Sequence, residues 1–203
     1  MGSTSNHPAN VLFVCLGNIC RSPMAHAVFQ DLAAQHPSLI GEIDSAGTGA
    51  YHALDPPDPR TMSTLRRHGI TDFDHAARKI TKDDFRHFDY ILAMDKYNLS
   101  DLQRVRDSVV ASKNPSAAAR SAGMKTTRAS AAAGGGGADG DKVAEVRLFG
   151  DFLPNGDVHQ KVGGGEEVQD PYYGGQNGFE EVYGQVVRFS KGFLGYLEKK
   201  ASE

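Results

Sequence analysis

Cysteine is scarce in this chain. Cys15 and Cys20 are the only two among 203 residues. So close together they cannot staple a large fold, and no disulfide framework of a small secreted domain is present. Their scarcity points to a reducing, cytoplasmic setting. Long apolar runs are also missing, none approaching the ~18 residues that a membrane span requires. The opening MGSTSNHPAN lacks the apolar core of a signal peptide, and Asn6 stands where a myristoylation pattern has Ser or Thr. It reads as a flexible tail, residues 1–10. Nor is there an excess of positive charge. With 22 Lys and Arg against 25 Asp and Glu, the formal net charge is −3. No broad basic field favours nucleic acid or an anionic membrane, although a local cationic pocket is compatible with that average. His-Glu-x-x-His, Cys-x-x-Cys and the Walker A pattern are all lacking, so no metal and no cofactor is implied.

What is present is enough apolar material for a core, 39% of the residues. Val11–Val14 is a buried strand by its unbroken apolar run. Ser22-Pro23 opens a helix that continues through Met24, Ala25, Val28, Phe29 and Leu32 at helical spacing. Ile40–Ala46 is a second strand. Pro59–His68 is a helix stopped by Gly69, and Thr81–Phe85 a short helical turn. Tyr90–Met94 is a third strand, Asn98–Val110 a helix and Val143–Phe149 a fourth strand. An amphipathic helix from Phe179 to about Lys199 closes the pattern. Strands alternating with helices predict a three-layer α/β domain, with a four-stranded parallel sheet in the flavodoxin-like order 2-1-3-4. Ligands of such sheets bind beyond the strand carboxyl ends, beside the first strand. The domain, residues 11–203, is interrupted at 111–142 by a segment rich in Ala, Ser and Gly. That segment has too little apolar surface to offset the entropy of ordering, so it reads as a disordered insertion. Ser121 and Ser130, each near an arginine, are weak kinase-site candidates within it. A second glycine patch, Gly163–Gly165, precedes the acidic approach to Asp170.

The chemistry concentrates in VLFVCLGNICRSP, residues 11–23, where a buried strand runs straight into a helix. The loop Leu16, Gly17, Asn18, Ile19, Cys20, Arg21 and Ser22 then presents backbone N–H groups and a helix N-terminus to an anion. Gly17 is expected to supply backbone freedom there. Arg21 can hold two phosphate oxygens through its planar fork. Cys15 stands at the start of this cradle, where N–H groups, helix dipole and Arg21 favour a thiolate. Ser22 can donate to that sulfur and ease its departure. An activated sulfur aimed at a bound phosphorus is the chemistry these residues describe.

These residues resemble the signature of the low-molecular-weight protein tyrosine phosphatases. The likeness continues through IDSAG (43–47), PDPR (57–60), HAARKIT (75–81), DYILAMD (89–95) and DPYYG (170–174). It covers roughly 11–110 and 143–199. The resemblance implies hydrolysis of protein phosphotyrosine and aryl phosphates through a cysteinyl phosphate on Cys15, with Asp170 as the general acid. It implies that Asn18 holds the loop through Ser22, Ser45 and His75, and that Asp95 orders Arg21. Tyr51, His52, Tyr172 and Tyr173 would form the substrate rim, and Asp58 would begin a helix. Partners would be phosphotyrosine proteins, with inorganic phosphate or similar oxyanions in the site, and no nucleic acid or membrane. Cys20 is placed to form a reversible disulfide with Cys15 after oxidation. Arsenate reduction and phosphoarginine hydrolysis are alternatives on the same fold. No cysteine follows Cys20 to relay oxidation, and the paired tyrosines favour an aromatic substrate. A non-catalytic phosphotyrosine-binding or redox-sensing module would have no use for Asp170.

Overall fold

A computed structural model describes residues 7–113, 142–172, 175 and 177–202. Its elements in chain order are β1 (Ala9–Cys15), α1 (Arg21–Ala33), β2 (Ile40–Gly47), α2 (Pro59–Arg67) and α3 (Asp84–His87). β3 (Tyr90–Ala93), α4 (Lys96–Lys113), β4 (Glu145–Leu148) and α5 (Gly178–Ala201) complete them. All strand pairs are parallel, in the order β2-β1-β3-β4, as the alternation of strands and helices predicts.

β1 is internal, and its side chains alternate between two cores. Val11 and Phe13 pack with α1 and α5, while Leu12 and Val14 face Leu99, Leu102 and Val109 of α4. The first core is knit by edge-on aromatic contacts of Phe13 with Phe29 and Phe149, at 5.4 and 5.0 Å between ring centres. Between these layers the register sets Cys15 opposite Gly47 and Val14 opposite Ala93. The strand carboxyl ends are thereby aligned at one edge. None of the described helices is long and apolar enough to cross a membrane.

Several boundaries differ from the apolar pattern, each for a local reason. β1 starts at Ala9, so Ala9 and Asn10 belong to the sheet and not to a flexible tail. The Ala9 N–H donates to the Leu39 carbonyl (2.8 Å), and that of Asn10 to Asp89 Oδ2 (2.7 Å). α4 begins at Lys96, where Asp95 Oδ1 accepts the Asn98 N–H at 2.7 Å. It runs to Lys113 and takes in the first three residues assigned to the insertion. Positions 114–141, Ser121 and Ser130 among them, lie outside the described residues. α3 starts at Asp84, not Thr81, because the Asp84 carboxylate accepts both the N–H and the hydroxyl of Thr81 (2.6 and 3.0 Å).

The second glycine patch is a close crossing of two backbones. A Cβ on Gly165 would lie 2.0 Å from the Gly150 carbonyl oxygen, and Gly163 adopts φ +77°. Asp151, fully buried, accepts the N–H groups of Gly163 and Gly165, each at 2.8 Å. From this anchor the chain returns to the sheet, where the Val168 N–H donates to the Met94 carbonyl at 2.8 Å. Asp170 is thus delivered to the edge where β1 ends.

Candidate active site

Cys15 ends β1 and Arg21 begins α1, so the five residues between them must reverse from strand to helix within a narrow gap. Their carbonyls are tied to neighbouring segments. Those of Cys15 and Leu16 accept from Thr48 and Gly49 (both 2.9 Å), and that of Ile19 from Asp58 (2.8 Å). Inside the turn, the Asn18 N–H donates to the Cys15 sulfur at 3.2 Å, and the Ser22 hydroxyl lies 3.1 Å from it. The left-handed residue of the loop is Asn18, at φ 58°. That corrects the expectation for Gly17, which does not adopt the left-handed conformation. Asparagine tolerates it because its short amide can bond locally, while the bare Cα of Gly17 leaves room for the His52 ring, 3.1 Å from where a Cβ would stand.

The Asn18 side chain, 1% exposed, joins four groups. Its Nδ2 donates to the Ser22 and Ser45 hydroxyls, each at 3.0 Å. Its Oδ1 accepts the Arg78 N–H at 2.9 Å and faces His75 Nε2 at 3.0 Å. Since Oδ1 can only accept, His75 carries its proton on Nε2. The contact of His75 with Ser45 Oγ, 3.2 Å, closes the ring.

Arg21 is buried beside the sulfur. Its Nη1 donates to Asp95 Oδ2 at 2.7 Å and its Nη2 to Asp170 Oδ2 at 3.3 Å. Burial works against the guanidinium charge, but Cys15, Asp170 and Asp95 outweigh it and raise its pKa. Asp170 is itself part of a turn, with Oδ1 accepting the Tyr172 N–H at 3.0 Å. These groups open on a cleft of about 300 Å³ that also reaches Tyr51, His52 and Tyr172. Tyr51 and Tyr172 are 80% and 64% exposed, so their rings stand at the mouth while Cys15 and Arg21 form the depth. His52 is braced by Asp55, Nδ1 to Oδ2 at 3.0 Å. Tyr173 lies outside the described residues. Cys20 borders the cleft as a free thiol. Burial pushes its pKa up to about 12, with Asp58 and Cys15 adding to the effect, so it remains protonated.

Residues 10–114 match the family model described as low molecular weight phosphotyrosine protein phosphatase. The phosphatase of that name from Schizosaccharomyces pombe is 41% identical over 91% of this chain and 94% of its own length. The chain belongs to the low-molecular-weight phosphotyrosine protein phosphatase family. Among solved structures, a protein tyrosine phosphatase from Entamoeba histolytica, with Hepes in its active site, superposes with a TM-score of 0.65 at 30% identity. That match covers 95% of this chain and 98% of the other. A Drosophila arginine phosphatase gives 0.66 at 27% identity, covering 92% and 96%.

Two residues beside this site stand within the PDPR and HAARKIT motifs, but what each of them contacts is visible only in the fold. Arg60, held by Asp58 through its Nε and Nη2 (3.0 and 2.8 Å), lies over the Tyr172 ring at 5.3 Å and the Phe179 ring at 4.7 Å. Asp58 also caps α2 through the Arg60 N–H, as its place before Pro59 predicts. Arg78 reaches the loop through its backbone N–H, an atom that every residue except proline carries. Only its neighbours in the fold reveal that contact.

Proposed function

We propose that this chain hydrolyses protein phosphotyrosine, and aryl phosphates generally, in two steps through a cysteinyl phosphate on Cys15. The observation that carries this reading is the meeting of the Cys15 sulfur, the Arg21 guanidinium and the Asp170 carboxylate in one cleft, from segments far apart in sequence. In the first step the sulfur forms a bond to phosphorus as the P–O(aryl) bond breaks. Asp170 passes its proton to the departing phenolate, a contribution of about 100-fold to 10,000-fold. Arg21 and the loop N–H groups bind the equatorial oxygens, where charge spreads in a loose transition state. Asp95 keeps the Arg21 fork in position.

In the second step Asp170 takes a proton from water, whose oxygen attacks phosphorus as the P–S bond breaks. Inorganic phosphate leaves and the sulfur departs as thiolate, received by the Ser22 hydroxyl and the Asn18 N–H. The exposed rings of Tyr51 and Tyr172 at the cleft mouth offer aromatic faces for a phenyl group to pack on, which favours an aromatic substrate over a guanidino phosphate. The charge neutralisation supplied by Arg21 and the loop leaves no step that calls for a metal or cofactor. A reducing compartment such as the cytoplasm suits a thiol nucleophile.

The deciding measurement is turnover of p-nitrophenyl phosphate, a phosphotyrosyl peptide and a phosphoarginyl peptide with EDTA present. Cys15→Ser is expected to abolish activity. Asp170→Ala is expected to lower kcat on the phosphotyrosyl peptide about 100-fold or more. Preferred turnover of the phosphoarginyl peptide would transfer the assignment to the second substrate class. Undiminished activity of Cys15→Ser would overturn the covalent route.

A further inference from the structure

The Asn18 network has a second side, formed by ligand-capable atoms that the contacts of the loop leave unused. His26 of α1, Asp44 of β2 and His75, in the stretch before α3, each contribute one ligand-capable atom, all within 4.8 Å of one another. His26 is only 9% exposed, and its Nδ1 is buried without a hydrogen-bond partner. The His75 proton is fixed on Nε2 by Asn18, so its Nδ1 carries the lone pair. That nitrogen lies 4.0 Å from Asp44 Oδ1, too far for a hydrogen bond. Asp44 accepts once on each oxygen, from the Ser45 N–H at 2.6 Å and from Arg78 Nε at 2.8 Å, which leaves each oxygen a further lone pair.

We propose that His26, Asp44 and His75 bind a divalent transition-metal ion, for which Zn²⁺ is the best fit. Two imidazole nitrogens and one carboxylate are a zinc donor set, with water completing the tetrahedron. Bonds of about 2.0–2.2 Å would place the ligand atoms roughly 3.4 Å apart, so a side-chain adjustment of about 1 Å closes the site. Among the described residues the Arg78 guanidinium is the one cation bonded to Asp44, and it is shared with the Asp84 carboxylate (both contacts 3.1 Å). The Phe73 ring stands edge-on to His26 and stacked on His75, at 5.0 and 6.1 Å, giving the imidazoles an apolar wall. Asp44, a quarter exposed, is the side open to solvent. The ion takes no part in phosphoryl transfer. Ligation of Nδ1 makes His75 Nε2–H a stronger donor to Asn18, and through Asn18 the site is connected to Ser22 and the sulfur.

The test is a Co²⁺ titration of the reduced, full-length chain. Ligand-field absorption should saturate at one equivalent, without thiolate-to-cobalt charge transfer, and Zn²⁺ should displace it. His26→Gln should weaken binding at least tenfold, and His68→Gln, a surface control, should leave it unchanged. Long-range imidazole ¹H–¹⁵N spectra of the unsubstituted chain give an answer even if His26→Gln fails to fold. Zn²⁺ should shift a nitrogen of His26 and Nδ1 of His75. No saturable binding, a charge-transfer band that puts the metal on Cys15 or Cys20, or unmoved His26 and His75 nitrogens would each overturn the site.

Discussion

Among individual residues, Asn18 carries the most demands. It holds a left-handed backbone conformation while its amide joins Ser22, Ser45, Arg78 and His75. Asn18→Gly would restore backbone ease but remove the amide, and Asn18→Ala would lose both. Each lost hydrogen bond is worth about 1 kcal/mol, and the left-handed conformation costs alanine about 1–2 kcal/mol. Turnover is expected to fall roughly tenfold or more in both variants, with the melting temperature lower in Asn18→Ala than in Asn18→Gly. Equal melting temperatures would show that the backbone conformation carries no energetic weight. Cys15 and Arg21 were legible in sequence because the loop that joins them is contiguous and its residue types are restrictive. The strain at position 18 was not, since Gly17 beside it is the more obvious bearer of backbone freedom. His26 gave no signal either. Its partners come from other elements, and a histidine on an apolar helix face is by itself an ordinary core residue.

Element by element, the pattern of hydrophobicity marks interiors better than ends. β1 was legible from Val11 onward, but its first residues, Ala9 and Asn10, are held by backbone donors that side-chain pattern does not report. The start of α3 moved for a similar reason, a carboxylate that caps its own preceding turn. The glycine patch 163–165 has a clear use only once Gly150 and Asp151 are seen against it. Asp151→Asn keeps the shape but replaces one accepting oxygen with a donor that faces N–H groups. That change should destabilise the protein by about 1–3 kcal/mol. It should also lower kcat, because the 163–168 segment sets the approach to Asp170. Urea unfolding and steady-state kinetics on the same variant check both effects. A stability loss with kcat intact would separate the anchor from the placement of Asp170.

The molecule as a whole should lose stability in mild acid. His26 titrates near 4 when folded, against about 6.5 in an unfolded chain. Above the unfolded value both states are neutral and the full stability is present. As pH falls below it, the unfolded chain takes up a proton that the folded chain refuses, so stability drains until about pH 4. The contribution is on the order of 3 kcal/mol, and the lowered pKa of His75 acts in the same direction. Urea midpoints at pH 7 and pH 4.5 should differ less in His26→Gln than in the unsubstituted chain. An identical pH dependence in the two would remove His26 as the cause. One further consequence follows from how α1 is covered. The helix that begins with Arg21 packs against α5, and Asp170 follows Arg21 by 149 residues. On a ribosome adding about 5–20 residues each second, the loop between Cys15 and Arg21 would emerge roughly seven to thirty seconds before Asp170, with α5 following directly after it. During its own synthesis the nascent chain would carry the Cys15 thiol before Asp170 and α5 are there to complete the cleft around it, an interval in which the thiol depends on chaperones and cellular reductants.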